Sequence, residues 1–364
     1  KKFIDINILI LLIGILRDLH KHDLAITYCY DAMKIEKNNV HLLLIMATLY
    51  LESNRMDEAE KYLSLSLKIR PFFGPAFRLL SLFKTITNDE LKKLEFYLIK
   101  AEMNDPVIIQ LGLAVSNYYE KQENYEKSFE YLKKYNEQYK ILIEYNKDMY
   151  FKKFSNIKKI YNLLSQDKKK IDKKKGDITP IFILGLPRSG TSLVEQVLSS
   201  ENQIHSCGEL TYFEEIFLEE FEDLIESNIN TQKIQKIRDE YLNIVKKNFD
   251  VRVKYFTDKM PLNFFFMGII NLVFPESKII LCKRSRMDNI MSIFRNFFPS
   301  GNSFSYDLND IVDFYNLYQE VINHWEKENI NFHCVEYENL IKNFKHESDL
   351  LFNYLNIIPT ESAQ

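Results

Sequence analysis

The sequence predicts two domains, a stack of helical hairpins followed by an α/β domain built on a parallel sheet. Three observations carry this. Small and apolar residues recur at a 34-residue spacing in the first part of the chain. After residue 177, short apolar runs alternate with amphipathic stretches, the pattern of strand–helix units. The length of 364 residues also exceeds what one ordinary core accommodates.

Composition narrows the function classes. The formal net charge of −3 argues against a general nucleic-acid binder. Cys29, Cys207, Cys282 and Cys334 are far apart with no C-x-x-C pair, which excludes a disulfide framework or zinc site of the usual spacing. Cys282 and Cys334 lie in strand-like apolar runs and are expected as small buried side chains. The apolar run Ile6 to Leu16 is shorter than the roughly 20 residues a membrane-spanning helix needs, so a buried helix and a cytoplasmic protein are expected. The sequence opens on Lys1 rather than Met, which suggests a longer parent sequence.

The repeat sets the N-terminal half. Ala25 and Ala59 are 34 residues apart, as are Ala32 and Ser66, and Ile35 and Ile69. Leu94 and Ala101 continue the series one residue late, and Ser128 and Tyr135 follow 34 further on. One unit carries Ala47, Tyr50, Asn54, Met56, Ala59, Ser66 and Pro71, with small residues where two helices must approach. Pro71 and, one unit later, Pro106 are expected to end second helices, since proline cannot extend the hydrogen-bond ladder. This pattern resembles the tetratricopeptide repeat and implies a helical solenoid over residues 1–150. Residues 151–176, ending in the run Lys168 to Gly176, read as a helical and basic linker with a solvated charge run.

The α/β domain is expected over residues 177–364. Strand candidates are Pro180 to Leu184, Tyr255 to Thr257, Lys278 to Cys282 and Phe332 to Val335. Ser192 to Ser199 reads as a helix, and so does Thr211 to Ile225. In the latter, Thr211 and Glu214 form a capping box, Phe213, Phe217, Phe221 and Leu224 line the apolar face, and the glutamates read as solvated surface.

Between the first strand and its helix lies Gly185-Leu186-Pro187-Arg188-Ser189-Gly190-Thr191-Ser192. Glycines let backbone N–H groups turn inward, and the helix N-terminus adds partial positive charge, so the loop suits a phosphate. A Walker loop has Lys after its second glycine. Here Thr191 takes that position and the cation, Arg188, comes earlier, which suits a shorter anion than a triphosphate.

Five motifs in order resemble the sulfotransferases that use 3′-phosphoadenosine-5′-phosphosulfate (PAPS), above all those with tetratricopeptide repeats and their tyrosylprotein sulfotransferase relatives. They are Pro187 to Ser192, Cys207-Gly208-Glu209, Thr257-Asp258-Lys259-Met260-Pro261-x-Asn263, the segment from Phe274 to Arg284 with Ser292 eight residues on, and Glu336-Tyr337-Glu338-Asn339-Leu340. The resemblance implies a loop for the 5′-phosphosulfate at Arg188, Ser189, Gly190, Thr191 and Ser192. It also implies a 3′-phosphate site at Arg284 and Ser292, and Tyr337 near the nucleotide. Glu209 takes the position of the proposed general base, Lys259 that of a lysine on the transferring group, and Arg188 and Lys259 would neutralise developing charge. Because the leaving group is already a phosphate, no metal is expected.

Three points depart from the family or compete with it. Ser285 and Arg286 stand where Asp and Pro are usual, adding a positive charge near the 3′-phosphate. The family's basic C-terminal segment does not appear before Gln364, so the domain is expected to be C-terminally incomplete. His205, close to Glu209, reads as a loop histidine rather than the base. The implied acceptor is a hydroxyl on a peptide tyrosine, a carbohydrate or a small molecule, with a protein partner or homodimer through the repeats and no nucleic acid. A P-loop kinase and a non-catalytic repeat protein are the alternative functions.

Overall fold

The structure is a computed structural model that describes residues 5–19, 21–100, 105–166, 177–221, 230–249 and 252–359. The run Lys168 to Gly176, the end of the helix expected to reach Ile225, and Gln364 lie outside the described residues. The chain divides into two compact units: Lys1–Tyr145 with Ser300–Asp307, and Asn146–Pro299 with Leu308–Gln364.

The first unit is helical: α1 (Ile6–Asp18), α2 (His22–Ile35), α3 (Val40–Glu52), α4 (Met56–Ile69), α5 (Gly74–Phe83), α6 (Asn88–Lys100), α7 (Pro106–Lys121) and α8 (Tyr125–Leu142). Helices pair as hairpins, α1 with α2, α3 with α4 and α7 with α8, and α2–α3 and α4–α5 contacts join successive hairpins. The small residues behave as the repeat requires, since Ala25, Ala32, Ala47, Ala59 and Ser66 are all fully buried at helix crossings. Side chains of Asp5, Asn39, Asp105 and Asn124 accept from first-turn amides of α1, α3, α7 and α8. Pro71 lies in the turn after α4, as expected. Pro106 differs: it opens α7 as its first residue, where its missing N–H would lack a partner in any case.

Gly112 on α7 shows how tightly a hairpin closes. A Cβ added there would sit 2.1 Å from the fully buried Tyr135 ring of α8. Gly112→Ala should therefore lower stability by about 1–3 kcal/mol, the usual range for overpacking, as read from urea unfolding of the full chain. Unchanged stability would mean the ring can step aside.

The second unit begins with α9 (Lys147–Gln166), whose Phe154, Ile157, Ile160, Tyr161 and Leu164 are buried. Tyr161 packs edge-on against Trp325 at 5.2 Å. The first part of the segment expected as a linker, residues 151–166, is thus core helix of this unit, because an apolar stripe runs along it between its charged residues.

Among the described residues, five parallel strands form one sheet in the order β2-β3-β1-β4-β5: β1 (Thr179–Gly185), β2 (Ile204–Ser206), β3 (Tyr255–Asp258), β4 (Lys278–Lys283) and β5 (His333–Glu336). Around it run α10 (Thr191–Ser199), α11 (Tyr212–Glu220), α12 (Thr231–Phe249), α13 (Met267–Val273), α14 (Arg286–Phe294), α15 (Leu308–Lys327), α16 (Tyr337–Lys342) and α17 (Phe344–Leu355). On central β1, Ile181 and Ile183 pack with Val194, Leu198, Leu351, Phe352 and Leu355. On the other face Phe182 joins Phe213, Tyr241 and Phe274, with ring centroids 5.9–6.2 Å from its own. The chain leaves β1 toward β2 and β3 and returns on the far side at β4. The carboxyl end of β1 is therefore the point where strand order reverses, where open α/β sheets form their ligand crevice.

Two local expectations need correction. Cys282 is buried, but Cys334 is exposed, because β5 is an edge strand with a buried residue only at Val335. Thr211 stands before α11 with helical backbone angles and makes no side-chain cap, while Glu214 pairs with Lys153 of α9 instead.

Candidate active site

The phosphate loop closes over the end of β1. Gly185 adopts φ +151° with the Cys282 carbonyl and Ser189 Oγ so near that a Cβ would sit 2.4 and 2.7 Å from them. Arg188 (φ +67°) and Gly190 (φ +97°) are left-handed, curling the segment back on itself. Gly190 then caps α10 without a side chain, so the first-turn amides of the helix have no side-chain acceptor. Ser189 Oγ is buried and has no hydrogen-bond partner.

A second group of residues meets this loop from β4, α14 and α16. The Arg284 guanidinium donates from Nη1 to the Arg188 carbonyl at 3.2 Å and stacks on the Tyr337 ring at 4.8 Å. Its Nε is buried with no partner. Ser292 Oγ accepts from Arg188 Nε at 3.4 Å, and a Cβ on Gly190 would meet the Tyr337 ring at 2.6 Å. Asn289, fully buried on α14, donates to the Pro187 carbonyl at 3.0 Å and leaves its own Oδ1 without a partner. Residues about 100 positions apart in the chain are thus gathered on one loop.

The third group stands at the carboxyl end of β3. Lys259 Nζ donates to Glu209 Oε1 at 2.7 Å. The pair is asymmetric, since the lysine side chain is 11% exposed and the glutamate 55%. Glu209 is not buried, contrary to what a carboxylate tuned by desolvation would need; its carboxylate faces solvent on one side and an ammonium on the other. Asp258 next to Lys259 is fully buried and accepts from the Tyr241 hydroxyl at 2.7 Å, the Met260 N–H at 3.0 Å and Asn263 Nδ2 at 3.3 Å. Burial raises its pKa to about 7 despite these donors.

A family model described as the sulfotransferase family matches residues 180–361. The chain belongs to the sulfotransferase family. A tetratricopeptide repeat model matches residues 16–81. An uncharacterized protein from Aquifex aeolicus (strain VF5) is 29% identical over 259 residues, which is 66% of this chain and 33% of that protein. The match therefore spans about a third of that relative's length. Among solved structures, sulfotransferase STF1 from Mycobacterium tuberculosis H37Rv (type1 form) is similar at a TM-score of 0.36 and 12% identity, covering 84% of this chain and 90% of that chain.

In this member of the sulfotransferase family, the residues singled out from sequence fall into two groups. Arg188, Ser189, Gly190, Thr191, Ser192, Arg284, Ser292 and Tyr337 lie on or against the loop. Glu209 and Lys259 form the pair beside β3. The Arg188 side chain reaches Ser292 rather than Lys259, so in this structure it stands with Arg284 and Ser292 and apart from the Glu209–Lys259 pair. Of the two departures from the family, Ser285 caps α14 by accepting from the Asp288 N–H. Arg286 stacks on Tyr315 at 5.2 Å and donates to Asn316 at 3.3 Å, so α15 engages its charge. His205 lies on β2, not in a loop. A phosphate-bearing nucleotide suits this arrangement, because unpartnered Ser189 Oγ and Arg284 Nε and the uncapped amides of α10 are all donors. Among the described residues no group of three or more His, Cys, Asp or Glu side chains is placed to hold a metal ion. Two buried carboxylates lie behind the site: Glu195, which falls outside all five motifs, and Asp258, which falls inside the third but carries no role from the sequence.

Proposed function

We propose that this sulfotransferase moves the sulfonate of PAPS to an acceptor hydroxyl by in-line displacement, leaving 3′-phosphoadenosine 5′-phosphate (PAP). The observation that carries this reading is the meeting of Arg284 and Ser292 with Arg188 on the phosphate loop. A second anion-binding cluster beside the first suits a nucleotide phosphorylated at two places and has no role for ATP.

Bound PAPS supplies an electrophilic sulfur attached to a phosphate leaving group. The amides from Ser189 to Ser192 would hold the 5′-phosphate, and Arg284 and Ser292 the 3′-phosphate, with Tyr337 packed under the guanidinium. Glu209 takes the proton of the acceptor hydroxyl as the new oxygen–sulfur bond forms and the sulfur–phosphate oxygen bond breaks. Lys259 holds Glu209 in place, and its ammonium would share its charge with the sulfonate oxygens. The acceptor is a hydroxyl on a peptide tyrosine, a carbohydrate or a small molecule, and the helical repeats present a surface for a protein partner or a second copy.

The test compares thermal stability with added PAP and with Mg-ATP. A ligand at 100 times its dissociation constant adds about 2.7 kcal/mol. PAP should stabilise the chain and Mg-ATP should not; stabilisation by Mg-ATP alone would replace this reading with a kinase.

A further inference from the structure

Behind Glu209 and Lys259 lies a closed hydrogen-bond ring that none of the five motifs contains in full. Its centre is Glu195 on α10, a carboxylate only 8% exposed. Glu195 Oε1 accepts from the Gly208 N–H at 3.0 Å and from the Thr257 hydroxyl at 2.6 Å. Thr257 Oγ1 in turn accepts from the Cys207 N–H at 3.3 Å, and the Gly208 carbonyl accepts from the Lys259 N–H at 2.8 Å. The segment Cys207-Gly208 is therefore pinned to β3 on both sides. Gly208 is left-handed at φ +69°, which turns the chain so that Glu209 follows directly from the pinned peptide.

A charged acceptor buried in protein is conspicuous, since an unpaired carboxylate there would be strongly unfavourable. This one is satisfied by two donors, one from each of the segments carrying Glu209 and Lys259. It also sits on the helix that begins at the phosphate loop. We infer that Glu195 is a positioning residue that fixes the Glu209 loop and the Lys259 strand in register with the anion-binding helix α10. This rests on Glu209 and Lys259 acting as proposed above. Glu195 touches no reacting atom; it acts through the Gly208 amide and the Thr257 hydroxyl.

The experiment uses the full chain with Glu195→Ala, Glu195→Gln and Thr257→Val. Amide hydrogen exchange at Gly208 should rise roughly tenfold or more in the alanine variant, the loss of one charge-assisted hydrogen bond. Glutamine keeps the accepting oxygen and should return Gly208 near the wild-type rate. Thr257→Val removes one arm only and should leave the Gly208 amide protected. Amides of β1 should not change in any variant, which separates the local effect from general loosening. PAP affinity by calorimetry should move less than about threefold in the alanine variant, while PAP release from PAPS falls by about tenfold or more and recovers with glutamine. Unchanged Gly208 exchange in Glu195→Ala, or no recovery in Glu195→Gln, would overturn the inference. A wild-type chain that releases no PAP from PAPS would instead defeat the proposed reaction and leave the exchange result standing.

Discussion

Glu209→Gln should lower turnover by roughly 10²- to 10⁴-fold, the usual contribution of a positioned general base, and leave PAP binding intact. Glutamine keeps the volume and the oxygen that meets Lys259 Nζ, now 2.7 Å from the carboxylate. What it loses is the ability to take a proton. Because Glu209 is more than half exposed, the substitution should not disturb packing, and a thermal melt should confirm that. PAP release from PAPS measures the catalytic loss, and stabilisation by PAP measures binding. Full turnover in the variant would move the base elsewhere, with His205 on β2 the first residue to test.

The second large effect concerns pH. Asp258 has its pKa raised from 3.8 to about 7, chiefly because it is fully buried. Tyr241, Met260 and Leu210 donate to it and hold the shift back, while the nearby charge of Glu195 adds to it. The native state thus holds this proton more tightly than the unfolded chain does. Stability from this group is complete below the unfolded value of 3.8 and is lost as pH rises through about 7. At 1.36 kcal/mol per pH unit the swing is on the order of 4 kcal/mol. Asp258→Asn cannot titrate, and the Tyr241 hydroxyl can turn to accept from its amide. Urea unfolding from pH 4 to pH 8 should show the variant gaining on the wild type as pH rises. Parallel curves would show that Asp258 titrates like an exposed carboxylate.

Much of the scaffold could be read from the chain. The 34-residue spacing located the hairpins because buried crossings admit only small residues, and Ala25, Ala59 and Ser66 announce them. The loop could be read because glycine and proline constrain backbone directly. The two central strands declared themselves through the apolar runs Ile181 to Leu184 and Ile279 to Cys282, whereas Ile204–Ser206 did not, since three residues with one buried side chain carry no period. Glu195 was invisible for a different reason. A glutamate in a short helix reads as solvated surface, and only the pairing of β2 with β3 brings Gly208 and Thr257 onto it. The Glu209–Lys259 pair spans 50 residues and likewise depends on that pairing. Arg286 illustrates the converse: its charge was plain in the sequence, but its direction is set by Tyr315 and Asn316 on a helix that starts more than twenty residues later.

The left-handed backbone at Arg188 and Gly190 bears on kinetics as well as shape. Left-handed geometry at a non-glycine residue carries strain of about 1 kcal/mol or more, and here it is met once, when the chain folds. A nucleotide arriving at this loop has little backbone left to order. Capture should therefore proceed at a rate set by diffusion and charge, with discrimination between nucleotides expressed in how long each one stays.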